Sequence, residues 1–277
     1  MSNSFIFFGT PEFSVTILDI LLEHHLVPSH IVTAHDRKIG RKQILTSPAV
    51  ATWAKEHNIP LLQPEKPSDI IEYLKKQSPD FFVVAAYGYI LSKKLLEIPT
   101  RGTLNVHTSL LPRWRGASPI ESAILAGDTE TGSTIMLMDE KLDHGAILRQ
   151  QKLALDQDMN RENLFIQLAQ HGGTLLAETI PLWLARKVIP QEQNHNEATF
   201  CHKIEKEYGN ITIDNDYHRY RKYLAYYGWP GVFFIDNTGK RIKITQARYE
   251  NNLFIIERVI PEGKNEMSSE QYSRTLN

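Results

Sequence analysis

Cysteine occurs once in 277 residues, at Cys201. That excludes an intramolecular disulfide framework and a multi-cysteine zinc site, and it suits a reducing compartment. No apolar run approaches the roughly 18 residues of a membrane span. The N-terminal stretch MSNSFIFFGTPEF lacks the basic start and long apolar core of a secretory signal, so it reads as a first strand. A cytoplasmic protein with no membrane partner is expected. Net charge is -1, so any nucleic-acid contact needs a local basic patch. The eleven histidines include no H-E-x-x-H pair, and no metal site is expected. Gly9-Thr10-Pro11 is no G-x-G-x-x-G fingerprint, and Ser109 lies on no G-x-S-x-G elbow.

What is present is an alternation of short apolar runs with helical patterns. Strands are expected at 5–8, 31–34, 59–62 and 80–86, with helices after Pro11, at 49–57 and at 67–76. A long loop is expected over 35–48. Continuous apolar strands between helices indicate a parallel sheet covered on both faces, an α/β doubly wound start. Further strands follow at 103–107, 133–139 and 146–155, and a long helix at 160–186. Ser118-Pro119-Ile120-Glu121 has capping-box spacing for a helix ending near Gly127. Residues 188–202 are polar and aperiodic at first, and read as a linker. The resulting division is a first α/β domain over 1–187 and a small β-rich domain over 203–277. The latter has a helix near 217–226 and strands at 231–235, 241–247 and 253–259.

Asn105 and His107 alternate within the 103–107 strand, so they project from one face near its C-terminal end. Ligands of open α/β sheets bind at that end. An amide donor can stabilise an oxyanion, and an imidazole can hold or pass a proton. Two buried polar residues satisfied by backbone groups are the plainer alternative. Asp139, Glu140 and Asp143 in the EKLDHG loop are candidate carboxylate partners, although Asp143 before His144-Gly145 is also an ordinary turn residue. Arg37, Lys38, Arg41 and Lys42 place four cations in six positions around Gly40. They suit phosphates, or form a solvated loop. Arg113-Trp114-Arg115 suits stacking on a ring, or locks its own loop.

Asn105, His107, Ser109 to Pro112 (SLLP) and Asp143-x-Gly145 resemble the signature of folate-dependent formyltransferases. The segments FFGTPEFSV, AAYGYIL, PRWRGASP, EATFCHKI, GWPG and PEGKNEMS are similar, in order, to the methionyl-tRNA formyltransferases of that family. The resemblance implies a Rossmann-like formyltransferase domain and a small C-terminal β-barrel-like domain that binds tRNA. It implies 10-formyltetrahydrofolate as cosubstrate and the α-amino group of methionine on initiator tRNA as acceptor. Asn105, His107 and Asp143 would be the catalytic trio. Ser109, Leu110, Leu111 and Pro112 would line the folate site, with Tyr87, Gly88, Ile90 and Leu91 walling the pterin pocket. Arg37, Lys38, Arg41 and Lys42 would contact tRNA. No metal is needed, because the amine attacks the formyl carbonyl directly, and a monomer is expected. The chain departs from the family in Thr108 between His107 and Ser109, in His144 where threonine is usual, and in a shortened C-terminal segment between Ala247 and Pro261. The alternatives are an N-formyltransferase for a nucleotide-linked amino sugar, a formyltetrahydrofolate hydrolase, and a non-catalytic RNA-binding module.

Overall fold

The computed structural model describes residues 4–40, 43–211 and 215–276. The first half runs β1 (Phe5–Gly9), α1 (Glu12–Glu23), β2 (His30–Val32), β3 (Arg37–Ile39), β4 (Ile44–Thr46), α2 (Ala49–Glu56), β5 (Leu61–Leu62), α3 (Ile71–Gln77), β6 (Phe81–Ala85), α4 (Lys93–Leu96) and β7 (Thr103–His107). Then come β8 (Arg115–Gly116), α5 (Pro119–Ala126), β9 (Glu130–Leu137), β10 (Ile147–Ala154), α6 (Arg161–Leu184) and β11 (Phe200–Cys201). The C-terminal part holds α7 (Asp216–Ala225), β12 (Val232–Ile235), β13 (Arg241–Glu250), β14 (Leu253–Pro261), β15 (Met267–Ser268) and α8 (Ser269–Arg274).

Seven strands form the main sheet in the order β10-β9-β7-β6-β1-β2-β5. The run β5-β2-β1-β6-β7 is parallel, and β9 joins β7 antiparallel. The parallel strands therefore follow the 3-2-1-4-5 order of a doubly wound fold, with the order reversing between β1 and β6. Every residue of β1, β6 and β7 is buried, as continuous apolar strands of a covered sheet should be. Helix α6 lies against β7 at a glycine. A Cβ on Gly172 would stand 2.7 Å from Val106 Cγ1.

The chain divides into two compact units. The first comprises residues up to Arg115, Gly132–Leu153 and Ile166–Thr199, and the second Gly116–Thr131, Ala154–Phe165 and the chain from Phe200 onward. Part of the expected linker thus lies within the first unit. Its Gln191 exchanges backbone hydrogen bonds with Ile147, which fastens the segment beside β10.

In the second unit β12-β13-β14-β15 form an antiparallel sheet. The β13–β14 hairpin turns on Asn251 and Asn252, both at positive φ, the geometry a two-residue turn requires. The guanidinium of Arg221 in α7 is buried and donates to the carbonyls of Ile124, in the last turn of α5, and Gln157. Tyr220 stacks on Tyr249 with ring centroids 5.4 Å apart, joining α7 to the sheet.

Two expectations are corrected. The 35–48 loop contains the β3–β4 hairpin, in register Arg37↔Thr46, Lys38↔Leu45 and Ile39↔Ile44. Its alternation was hidden because both strands are only three residues long, β3 is mostly charged, and the apolar Ile44 and Leu45 of β4 are exposed. Ser118 precedes α5 but does not cap it, because its hydroxyl donates to the His202 carbonyl instead. Among the described residues no helix is long and apolar enough to cross a membrane.

Candidate active site

Strand β7 delivers Asn105 and His107 to the C-terminal edge of the sheet, where Asn105 pairs with Val84 and Met136 and His107 with Thr134. Asn105 is 9% exposed and His107 6%. The Asn105 carboxamide hydrogen-bonds to no other side chain or carbonyl among the described residues. That leaves a donor at the mouth of the site. His107 Nε2 lies 2.9 Å from the Trp114 carbonyl oxygen. A carbonyl only accepts, so Nε2 carries the hydrogen and donates it. Nδ1 is then the nitrogen left for chemistry, and it faces Asp143 Oδ1 at 3.7 Å.

Asp143 comes from the loop between β9 and β10, and both its side chain and that of His107 are largely shielded from solvent. Its backbone is left-handed, with φ of 45°. Aspartate tolerates that region better than most residues. Gly145 completes the turn, since a Cβ there would lie 1.9 Å from the Leu137 carbonyl oxygen. The loop thus bends back onto β9 and presents a carboxylate to β7. Of the other acids considered, Asp139 accepts from His144 Nδ1 at 2.7 Å, and Glu140 pairs with Lys93.

Two residues beside the trio, Gln193 and His195, carried no signal in the sequence. Gln193, 5% exposed, donates to the carbonyls of Asp143 at 2.9 Å and Gly145 at 2.8 Å. Its own oxygen accepts from Arg115 Nε at 3.0 Å and Nη2 at 2.5 Å. Arg115 Nη2 also reaches His195 Nδ1 at 2.9 Å. Arginine only donates, so His195 accepts at Nδ1 and is neutral there. Burial lowers the His195 pKa, and the charges on His144 and Arg115 push the same way. Its ring stacks on His144 at 3.9 Å. Burial also lowers the Arg115 pKa, opposed by the negative charges of Asp143 and Asp139. Arg115 is therefore the lock of its loop, while Arg113 lies over the Trp114 ring at 4.4 Å. These contacts were unreadable because residues 188–199 have no periodicity, and their burial is imposed by partners 50 to 80 positions away.

The segment Ser109 to Pro112 is braced from β9. Thr134 Oγ1 donates to the Ser109 carbonyl at 2.7 Å and accepts from Leu111 N at 3.3 Å. Ser109 Oγ donates to the Arg113 carbonyl at 2.6 Å. Leu111 is buried, whereas Leu110 and Pro112 are half-buried. Across the switch point, Tyr87 and Leu91 belong to the core and Ile90 is 92% exposed, with Gly88 beside it at φ 82°. Burial, reinforced by Tyr89, raises the Tyr87 phenol. Thr10 Oγ1 donates to the Tyr87 carbonyl, tying the β1–α1 loop to this segment. Arg37 Nη2 donates to Tyr89 Oη at 2.7 Å, so the basic hairpin and the YGYIL segment meet. Lys38 is exposed, and Arg41 and Lys42 lie outside the described residues. No cluster of three or more potential metal ligands occurs among the described residues.

Comparison with known proteins places the chain as a whole. The family model described as Formyl transferase matches residues 3–180. A methionyl-tRNA formyltransferase of Anaeromyxobacter dehalogenans is 44% identical over 247 residues, covering 87% of this chain and 78% of the relative. One from Halalkalibacterium halodurans is 42% identical over 245 residues, covering 87% and 77%. Among solved structures, an N-formyltransferase of Helicobacter canadensis superposes with a TM-score of 0.68 at 17% identity, covering 91% of this chain and 89% of its own. A 4-N formyltransferase of Francisella tularensis gives 0.69 at 20% identity, covering 88% and 96%. At those identities the structures speak to the fold alone. The extent of the family match and the identity to the curated relatives say more: this chain belongs to the formyl transferase family, among the methionyl-tRNA formyltransferases.

Proposed function

We propose that the chain transfers a formyl group from 10-formyltetrahydrofolate to the α-amino group of methionine carried by initiator tRNA. The observation that carries the reading is the convergence of Asn105, His107 and Asp143 at the C-terminal edge of β7, within a chain 44% identical to a methionyl-tRNA formyltransferase. When bound, the folate supplies an activated formyl carbonyl. The surface beside the trio suits a flat, largely apolar group. Exposed Ile90 and Gly88 offer one side, and the half-buried Leu110 and Pro112 the other. The buried side chains of Tyr87 and Leu91 support that wall from within, and the Ser109 hydroxyl braces its own loop.

The residues divide the work by what each atom has left to offer. The Asn105 amide donates to the oxygen on which charge develops as the amine adds to the carbonyl. His107 presents Nδ1, because its Nε2–H is held by Trp114. A proton on Nδ1 gives a second donor to that oxygen. The Asp143 carboxylate, 3.7 Å from Nδ1, holds the imidazole and takes the proton lost by the amine. That distance exceeds a hydrogen bond, and catalytic contacts often tighten only when substrate arrives. The new amide C–N bond forms as the bond to folate N10 breaks, and N10 receives a proton. Arg37, Lys38, Arg41 and Lys42 are assigned to the tRNA phosphates, and residues 203–277 to binding the rest of the tRNA.

The test is incubation with labelled 10-formyltetrahydrofolate and either charged initiator tRNA or a panel of nucleotide-linked amino sugars. Label in the tRNA is expected. Label in the sugars alone would overturn the acceptor assignment.

A further inference from the structure

Gln193 fills all four hydrogen-bonding positions of a carboxamide. Two lone pairs take Arg115, and two N–H groups hold the carbonyls of Asp143 and Gly145. Those carbonyls flank His144, so both ends of the left-handed turn that aims Asp143 at His107 are pinned to one buried side chain. The same segment reaches the other member of the pair. Thr199 Oγ1 accepts from Trp114 N at 2.9 Å, and the Thr199 carbonyl accepts from Arg115 N at 2.8 Å. The Trp114 carbonyl is the group that fixes the tautomer of His107. Residues 193–199 therefore hold the backbone behind both His107 and Asp143, although none of them faces the reacting atoms.

We propose that Gln193 is a positioning residue for formyl transfer, setting the direction of the Asp143 carboxylate through the backbone of the 143–145 turn. The inference rests on the role given to Asp143 above. Its chemistry is specific. Only a side chain that both donates and accepts can serve Asp143 and Arg115 together. Glutamate has the same shape and can pair with Arg115, but it has no donor for the two carbonyls and sets an anion against them. Gln193→Glu thus keeps the Arg115 contact and removes the Asp143 contact.

The expected result for Gln193→Glu is a fall in kcat of about 100-fold, the cost of a misplacement near 1 Å. KM for folate and for the acceptor should stay within about twofold, while the thermal midpoint falls because two buried carbonyls lose their donor, with the variant still folded at the assay temperature. Gln193→Met, of similar volume, loses both contacts and should show the same kcat defect, so the inference stays testable should the glutamate variant fold poorly. In an Asp143→Asn background Gln193→Glu should add little further loss, because the two changes act on one group. A stable Gln193→Glu with wild-type kcat, or one whose KM rises as much as its kcat falls, would overturn the proposal. A readout without any acceptor separates it from the tRNA assignment. The His107 Nδ1 resonance should move in Gln193→Glu as it does in Asp143→Asn, and an unmoved resonance counts against Gln193. Failure of the tRNA reading would show in the wild-type enzyme instead, as donor turnover without formylated tRNA.

Discussion

Strand β7 and the segment 188–199 both build the site, and they do it by opposite means. In β7 the backbone is held by ladders on both sides, to β6 and β9, and the side-chain period of two fixes which face Asn105 and His107 share. In 188–199 there is almost no regular structure, only a bridge at Gln191 and a short turn at His195–Glu197. Position there comes from Gln193 and Thr199, one hydrogen bond at a time. A site borne by a strand is rigid through its neighbours. A site borne by a loop is rigid only while each polar contact is kept, so single substitutions should separate the two regions.

The largest effects should come from the pair that the two regions jointly aim. His107→Ala and Asp143→Ala are each expected to lower kcat by about 100- to 10,000-fold while the protein remains folded, measured by transfer of labelled formyl to tRNA. A near wild-type rate in either would remove that residue from the chemistry. Asn105→Ala takes away one donor on the strand and should cost about 100- to 1,000-fold in kcat, with KM for folate little changed. If KM rose instead, Asn105 would be binding substrate in its ground state.

Smaller effects test regions away from the trio. Lys38→Ala on the β3–β4 hairpin should raise KM for tRNA several-fold more than KM for folate, and should reduce the salt dependence of tRNA binding by about one unit of slope. Equal changes for both substrates would make the hairpin a structural piece. The smallest expected effect is a pH dependence in the second unit. Hydrogen bonds from Thr238 and from Tyr272, at 2.7 Å, hold the Asp236 carboxylate well below its usual range. A depressed folded pKa contributes stability above the unfolded value, near 3.8, which is lost as pH falls through the folded value. Asp236→Asn should therefore lower the thermal midpoint at pH 7 slightly and flatten its decline below about pH 4. An unchanged acid profile would show that this contact contributes nothing to folding.

The sequence and the structure divide along the same line as the two regions. The doubly wound start was legible from continuous apolar strands alternating with helices, because burial on both faces leaves no other pattern for Phe5–Gly9 or Phe81–Ala85. Asn105 and His107 were legible as a pair for the same reason: polar residues at i and i+2 interrupt an otherwise apolar strand. Asp143 was one of three candidate partners in its loop, and only the family resemblance singled it out from Asp139 and Glu140, since an aspartate before His-Gly is ordinary turn composition. The β3–β4 hairpin was missed because its strands are three residues long and β4 buries none of its residues, so no alternating pattern marks them.

By itself, then, the sequence determined the sheet, the face of β7 that bears Asn105 and His107, and membership of a formyltransferase family. Periodicity and ordered motifs are local properties, readable within ten or twenty residues. Only the tertiary structure decided that His107 spends Nε2 on the Trp114 carbonyl and turns Nδ1 toward Asp143, and that Gln193 is buried behind them. Each of those depends on a hydrogen bond to a carbonyl or carboxylate distant in the chain, and a polar side chain carries no mark of the partner it will find.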